Sequence, residues 1–170
     1  MMRLTENITK KLTLRQQIAL TFAPAFIVIA TALASEMYGG LIPCALCLKQ
    51  RVPYYLALPL LALAYWHAPK RPLAAHGLLR AMGVVFLIGA GLGIYHAGIE
   101  YGSWAGPATC GGGGGLATST EALFKALESS SMVRCDAPAW TLFGISLAGY
   151  NALASLAIAF VAFRPIAEER

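Results

Sequence analysis

Two cysteines separated by two residues stand where a polar connection meets a long apolar segment of this chain. Cys44 and Cys47 form this Cys-x-x-Cys pair, with Pro43 before it and Arg51 four residues after Cys47. Thiolates are favoured at helix N-termini and near fixed positive charge. If a helix begins near Cys44, both cysteines and Arg51 share one helix face. The pattern indicates a redox-active dithiol, in which Arg51 stabilises a Cys47 thiolate or an anionic reduced acceptor.

The chain has four cysteines, and the other two are Cys110 and Cys135. The four can form two exchanging redox pairs, two inert structural disulfides or a zinc site. Zinc is disfavoured because there is a single Cys-x-x-Cys, and the other two cysteines are 25 residues apart in a flexible loop. A disulfide within Cys-Ala-Leu-Cys closes too short a loop to order much of the chain. The residues favour redox chemistry and no metal site, while the structural and metal-binding interpretations stay open.

Composition places these cysteines in a membrane protein. Hydrophobic residues make up 58% of the 170 residues and charged residues only 12%, with a mean hydropathy of +0.63. Soluble domains usually have about 25% charged residues. Four stretches are long enough to cross about 30 Å of hydrocarbon, namely residues 18–38, 48–67, 81–99 and 140–163. We predict an all-α membrane protein in which residues 1–170 form one domain, a four-transmembrane-helix bundle.

The basic residues are distributed unequally between the two sides of the predicted bundle. Nine of the 13 Lys and Arg residues lie in segments 3–15, 70–80 and 164–170. Because short cytoplasmic segments are rich in Lys and Arg, we expect both termini and the 68–80 loop in the cytoplasm. All four cysteines then face the oxidising compartment outside. This bias explains the formal net charge of +5. The sequence has no basic stripe interleaved with aromatic residues, so the charge does not indicate nucleic-acid binding.

A long outer loop, about residues 100–139, separates the third and fourth predicted spans. Connections of this length are commonly functional or disordered. Cys110 is followed by five glycines, residues 111–115, and the weak steric restriction of glycine makes Cys110 mobile. Thr118 and Glu121 have capping-box spacing, and the apolar stripe after them predicts a short amphipathic helix on the outer membrane face.

Several motifs together resemble the bacterial disulfide bond formation protein B family, DsbB. The clearest is Pro43-Cys44-Ala45-Leu46-Cys47-Leu48-Lys49-Gln50-Arg51, which is similar to a Pro-Cys-x-Leu-Cys-x-x-x-Arg signature. Further matches are Tyr95-His96, Trp104-x-Gly106-Pro107-x-x-Cys110, Cys135-Asp136, Trp140 and Phe143-Gly144. The resemblance extends over about residues 18–163 and keeps the family's order and four-span topology.

The resemblance implies an enzyme, a quinone-dependent protein disulfide oxidoreductase of the bacterial inner membrane. Such an enzyme is surrounded by membrane lipid. It reoxidises a periplasmic thioredoxin-fold partner similar to DsbA and passes the electrons to ubiquinone or menaquinone. Carried over to this sequence, the partner's thiolate would attack Cys110, and Cys135 would be joined to Cys110 in a loop disulfide. Cys44 and Cys47 would then reoxidise that pair.

The resemblance also implies residues that hold the quinone. Cys47 would adjoin it, Arg51 would aid its binding and reduction, and His96 lies near the position of the family's quinone-proximal histidine. The glycine run beside Cys110 departs from the family pattern. Partner docking beside Cys110 then costs more conformational entropy, because glycine loses more backbone freedom when it becomes ordered. The alternative interpretation is not enzymatic: a structural or metal-binding membrane subunit whose outer loop is held by disulfides.

Overall fold

The computed structural model describes residues 12–41, 43–107 and 135–165. Within these ranges the chain is mostly helical, with four helices: α1, Leu14–Gly39; α2, Ala45–His67; α3, Pro72–Glu100; and α4, Leu147–Phe163. A two-stranded antiparallel hairpin precedes α4, formed by β1, Thr141–Leu142, and β2, Ile145–Ser146. The expected amphipathic helix, the glycine run and Cys110 lie outside the described residues.

Two of these helices, α1 and α3, are long and apolar enough to cross a bilayer. They contain 26 and 29 residues, and only 22% and 39% of their most apolar windows are buried inside the protein. Apolar side chains therefore cover much of the outer surface of both helices. Such a surface fits hydrocarbon better than water. These helices support the expected helical membrane protein, while spans at α2 and α4 stay predictions.

The start of α4 differs from the expectation. We expected a span over residues 140–163, but α4 begins only after the hairpin. The two turn residues, Phe143 and Gly144, have positive φ values of 50° and 78°, as two-residue hairpin turns require. Tyr101 fixes this hairpin, because its hydroxyl donates to the Gly144 carbonyl at 2.7 Å and accepts from the Ser146 N–H at 2.8 Å. The helical prediction is therefore wrong for the hairpin residues.

The helices pack as a closed ring, each against the next in chain order, with α4 returning to α1. The most extensive contact joins α3 to α4. At Gly93 of α3, an added Cβ would lie 2.9 Å from the backbone nitrogen of Ala152, so glycine permits the close approach of the two helices. On the α2 side, Tyr54 and Phe86 pack edge to face with ring centroids 5.3 Å apart. Both side chains are fully buried in the largest core cluster.

Different contacts join the helices at the two ends of the ring. At one end the Gln17 side-chain amide of α1 donates to the carbonyls of Val161, at 2.7 Å, and Arg164, at 3.0 Å. These bonds join α1 to the end of α4, where the Val161 carbonyl also accepts from the Arg164 N–H and the Arg164 carbonyl also accepts from Arg80. At the other end the start of α2 meets the end of α3 and the segment around Cys135. The predicted redox residues lie at this second end.

Candidate functional site

The Cys-x-x-Cys pair lies at the N-terminus of α2, which confirms the expected helix start. Cys44 is the N-cap residue, with an extended backbone at φ −71° and ψ 169°. The Cys47 N–H donates to Cys44 Sγ at 3.2 Å, and the Cys44 thiol donates to Cys47 Sγ at 3.0 Å. The cap thus satisfies a backbone N–H that the helix start leaves unpaired. Both residues are thiols in this structure, and their sulfurs are held side by side.

The two sulfurs have different surroundings. Cys44 is 3% exposed, whereas Cys47 is only partly buried and lines a cavity. The hydrogen bond that the Cys44 thiol donates to Cys47, together with burial, raises the pKa of Cys44 to about 12. The proton therefore stays on Cys44. Negative charge develops instead on Cys47, close to the positive end of the helix dipole, so Cys47 is the more nucleophilic sulfur.

His96, which the family resemblance suggests as a quinone-binding residue, lies beside this pair. It comes from α3, is 2% exposed, and places Nε2 3.8 Å from Cys44 Sγ. Its Nδ1 accepts a hydrogen bond from the side-chain amide of Gln50 at 2.6 Å. Glu100, one turn further along α3, has a carboxylate oxygen 3.8 Å from the same Nε2. The imidazole therefore bridges the cysteine pair and a buried carboxylate.

Cys135 is brought to the same end of the protein although it is remote in sequence. It is 1% exposed and belongs to a small buried cluster with Cys44, Leu46 and Ile99, against which Cys47 packs. Three of the four cysteines predicted to be catalytic thus lie together. The fourth, Cys110, is outside the described residues.

Arg51 has a partner that the sequence analysis did not identify. Its guanidinium forms an ion pair with Glu36 of α1, with 2.6 Å between Nη1 and Oε2, and its Nη2 donates to the Ala32 carbonyl at 3.4 Å. The Arg51 side chain is 12% exposed and that of Glu36 39%. Because Glu36 neutralises much of the guanidinium charge, stabilisation of Cys47 by Arg51 is weaker than the spacing alone suggests.

A cavity of about 740 Å³ opens between α1, α2 and α4, with one corner of its wall formed by α3. Apolar side chains form most of the wall. The polar groups are few and include those of Cys47, Gln50, Arg51, His96 and Glu100. Small-molecule sites usually have volumes of roughly 300 to 1,000 Å³, apolar walls and a few converging polar groups. The cavity therefore suits a flat, largely apolar molecule with hydrogen-bond acceptors, placed next to the Cys47 sulfur.

The same residues include three potential metal ligands. One donor atom from each of Cys44, Cys47 and His96 lies within 4.8 Å of the others, and cysteine and histidine are the usual zinc ligands. Metal binding at Nε2 requires a free lone pair there. However, the Gln50 amide N–H donates to Nδ1, so the neutral ring carries its hydrogen on Nε2. This hydrogen-bond arrangement disfavours a metal at the cluster.

Sequence reasoning missed several polar residues of the site: Glu36, Gln50, Tyr54, Glu100 and Asn151. A signal for them existed, because polar side chains within apolar segments are expensive and commonly functional. Gln50 and Asn151 interrupt the apolar stretches of α2 and α4. Glu100 Oε2 is buried and has no hydrogen-bond partner among the described residues.

Comparison with known proteins gives one consistent result. Residues 14–164 match the model of the family described as disulfide bond formation protein DsbB. The chain is also 30% identical over 146 residues to a disulfide bond formation protein B from Methylobacillus flagellatus, a match that covers 84% of this chain and 87% of that protein. No solved structure matches this chain. The family match includes all four helices, the hairpin and every cysteine.

Proposed function

Since this chain belongs to the family of disulfide bond formation protein DsbB, we propose that it is a quinone-dependent thiol oxidase. Its substrate is the reduced dithiol of a periplasmic DsbA-like protein, and two electrons pass through two cysteine pairs to a quinone. The observation that supports this most directly is the cysteine pair at the N-terminus of α2, with sulfurs 3.0 Å apart, beside the apolar cavity.

The residues around the cavity fit a quinone. The apolar wall accepts a flat ring and part of an apolar tail, while the Arg51 guanidinium and the His96 ring supply N–H donors for its carbonyl oxygens. A bound quinone supplies an acceptor for two electrons and two protons. Ubiquinone and menaquinone both provide a flat ring with two carbonyl oxygens.

The two sulfurs of the α2 pair have separate roles in this proposal. Cys47 lines the cavity and accepts the hydrogen bond from Cys44, so electrons leave the protein through Cys47. Cys44 retains its proton until the two sulfurs join. Forming the disulfide from two thiols releases two electrons and two protons, which equals what a quinone takes up.

The outer-loop pair supplies those electrons. In the proposed cycle a partner thiolate attacks the Cys110–Cys135 disulfide at Cys110, and Cys135 leaves with the electron pair. The second partner thiol then breaks the mixed disulfide, which leaves the loop pair reduced. Cys135 lies in one buried cluster with Cys44, so exchange between the loop pair and the α2 pair needs no large movement of Cys135.

The proposed orientation in the bacterial inner membrane follows from the two ends of the helix ring. Cys44, Cys135 and the end of α3 lie at one end, which we place at the periplasm. Arg80 lies towards the other end and donates to the Arg164 carbonyl at 3.1 Å. With all four helices as spans, both termini are then cytoplasmic, as the distribution of basic residues indicates.

The second candidate function is a metal-binding or structural subunit. The proximity of donor atoms from Cys44, Cys47 and His96 supports it, whereas the hydrogen bond from Gln50 to His96 argues against it. One experiment separates the two candidates. Purified protein in detergent is loaded with quinone and supplied with a reduced DsbA-like partner, and the rate of quinone reduction is measured. The same rate is measured for Cys47→Ala and for a control, Leu48→Ala, at an exposed neighbouring residue. The oxidase requires turnover that is lost only in Cys47→Ala. Absence of turnover in the wild type with several partners, together with one retained metal ion per chain, would establish the second candidate.

A further inference from the structure

A chain of hydrogen bonds runs from the core of the helix ring to the redox pair. The Tyr54 hydroxyl donates to Asn151 Oδ1, the Asn151 amide donates to Gln50 Oε1, and the Gln50 amide donates to His96 Nδ1, each at 2.6 Å. Ser155 Oγ lies 3.0 Å from the Tyr54 oxygen. The chain links α2, α3 and α4, and Tyr54, Gln50 and His96 are each at most 6% exposed. It ends at the ring whose other nitrogen faces Cys44.

This chain has a direction. An amide nitrogen only donates and an amide oxygen only accepts, so the Gln50 nitrogen forces Nδ1 of His96 to accept. The neutral ring then carries its single hydrogen on Nε2. Because the Tyr54 hydrogen is used on Asn151, the Ser155 hydroxyl must be the donor to Tyr54.

If the oxygen and nitrogen of the Gln50 and Asn151 side chains were exchanged, the chain would run in the opposite direction and every group in it would still have a hydrogen-bond partner. The far side of the imidazole decides between the two. His96 Nε2 faces two acceptors, Cys44 Sγ and Glu100 Oε1, each at 3.8 Å. A hydrogen on Nε2 presents positive charge to both atoms, whereas a bare Nε2 would face them with a lone pair. The groups around Nε2 therefore favour the observed direction.

Resting on the proposed function, we infer that Gln50 is a positioning residue that fixes the tautomer of His96 with its hydrogen on Nε2. Asn151 and Tyr54 support Gln50 by satisfying its side-chain oxygen and fixing the orientation of its amide. His96 then acts as a hydrogen-bond donor towards Cys44 and the cavity, and cannot accept a proton at Nε2. Amide groups do not readily pass protons along, so the chain orients the ring and does not conduct protons to it.

The tautomer can be measured directly in the full-length protein. The chain has three histidines, and a background with His67→Gln and His76→Gln leaves His96 as the single ¹⁵N-labelled imidazole in detergent micelles. The ¹⁵N shifts distinguish a protonated from a bare ring nitrogen. We expect hydrogen on Nε2 in this background, a mixture of tautomers with Gln50→Leu, and hydrogen on Nδ1 with Gln50→Glu, which offers only acceptor oxygens.

Two further variants control for folding and for distance. Tyr54→Phe keeps the buried ring and removes only the hydroxyl that donates to Asn151 and accepts from Ser155, so it should loosen the tautomer preference without loss of folded protein. Gln17→Leu makes the same change as Gln50→Leu in another buried amide, at the opposite end of the ring, and should leave the His96 spectrum unchanged. Hydrogen on Nδ1 in the background protein, or equal spectra for Gln50→Leu and Gln17→Leu, would overturn the inference.

Turnover separates this inference from the proposed function. Loss of the oriented donor should lower kcat for quinone reduction about tenfold in Gln50→Leu, with the KM for the reduced partner protein unchanged. If the tautomer follows Gln50 as expected but the wild type shows no turnover, the positioning stands and the proposed oxidase fails. If the wild type turns over and Gln50→Leu matches it in both kcat and spectrum, the positioning role fails and the oxidase stands.

Discussion

Gln17 and Gln50 are two buried amides at opposite ends of the same helix ring. The Gln17 nitrogen donates to backbone carbonyls at the end of α4, and its Oε1 has no partner among the described residues. Both polar atoms of Gln50 are paired with side chains, one with Asn151 and one with His96. The Gln17 amide, which donates to backbone carbonyls, can join two helices even though its oxygen has no partner among the described residues. An amide that ends on an imidazole must have a defined orientation, because that orientation determines where the ring hydrogen lies.

The comparison predicts that variants at the Cys44 end lose activity and variants at the Gln17 end lose stability. The largest effect is expected for Cys47→Ser, which replaces the sulfur that lines the cavity. Quinone reduction should fall to background, because a serine hydroxyl cannot form a disulfide. The melting temperature in detergent should stay close to that of the wild type, since the two side chains are nearly isosteric. Turnover above one tenth of wild type would remove Cys47 from the electron path.

Thiol labelling tests the difference between the two sulfurs of the pair. With the pKa of Cys44 at about 12, only about one Cys44 in ten thousand is a thiolate at pH 8. A maleimide at pH 8 should therefore modify Cys47 well before Cys44 in the reduced protein, and raising the pH towards 12 should narrow the difference. Fragment-ion mass spectrometry of the peptide containing both residues gives the ratio. Equal labelling at pH 8 would show that the proton is not held on Cys44.

Variants of Arg51 and Glu36 test whether Arg51 contributes to quinone binding in the cavity or only joins α1 to α2. Arg51→Ala removes a charged donor from the cavity wall and should raise the KM for quinone about tenfold or more. Glu36→Gln keeps a hydrogen-bonding side chain at that position and should have a smaller effect on the same KM. Lys49→Ala, at an exposed basic residue two positions away, is the matched control and should leave KM unchanged. A KM unaffected by Arg51→Ala would limit Arg51 to joining α1 and α2.

At the other end of the ring, Gln17→Leu should lower stability and spare activity. Its amide donates to the carbonyls of Val161, Ala162 and Arg164, and each hydrogen bond lost contributes about 0.5 to 1.5 kcal/mol of net stability. Thermal unfolding in detergent should show the loss, while kcat per folded molecule stays at the wild-type value. A fall in kcat without a fall in melting temperature would contradict the division between the two ends.

Two glycines of α3 that are two residues apart test how closely α3 packs against α4. Gly93→Ala places a methyl group 2.9 Å from the Ala152 backbone and should cost about 1 to 3 kcal/mol. Gly91→Ala meets nothing within 4 Å and should be neutral or stabilise the helix by up to about 1 kcal/mol. Thermal unfolding of both variants gives the comparison. Equal melting temperatures would show that α3 and α4 can separate slightly at Gly93.

Features determined by short sequence spacing were predictable. The start of α2 at Cys44 follows from Pro43 and the cysteine spacing, and His96 was placed near the redox pair by the family resemblance. The start of α4 was not predictable from hydropathy, because the hairpin before it depends on the Tyr101 hydroxyl, 43 residues before Gly144. The Arg51–Glu36 and Gln50–Asn151 contacts depend on how neighbouring helices are aligned along their lengths. That alignment is set by packing of the whole ring, which no local pattern specifies.

The N-cap of α2 is a sulfur atom, where most helices have an oxygen. An oxygen cap is chemically constant, whereas the Cys44 sulfur changes its bonds in every proposed catalytic cycle. When Cys44 enters a disulfide, the Cys47 N–H keeps only a weaker acceptor. The first turn of α2 should therefore fray and tighten as electrons leave and enter the pair. The hydrogen-exchange rate of a single backbone amide, that of Cys47, would then report whether the Cys44–Cys47 pair is reduced or oxidised.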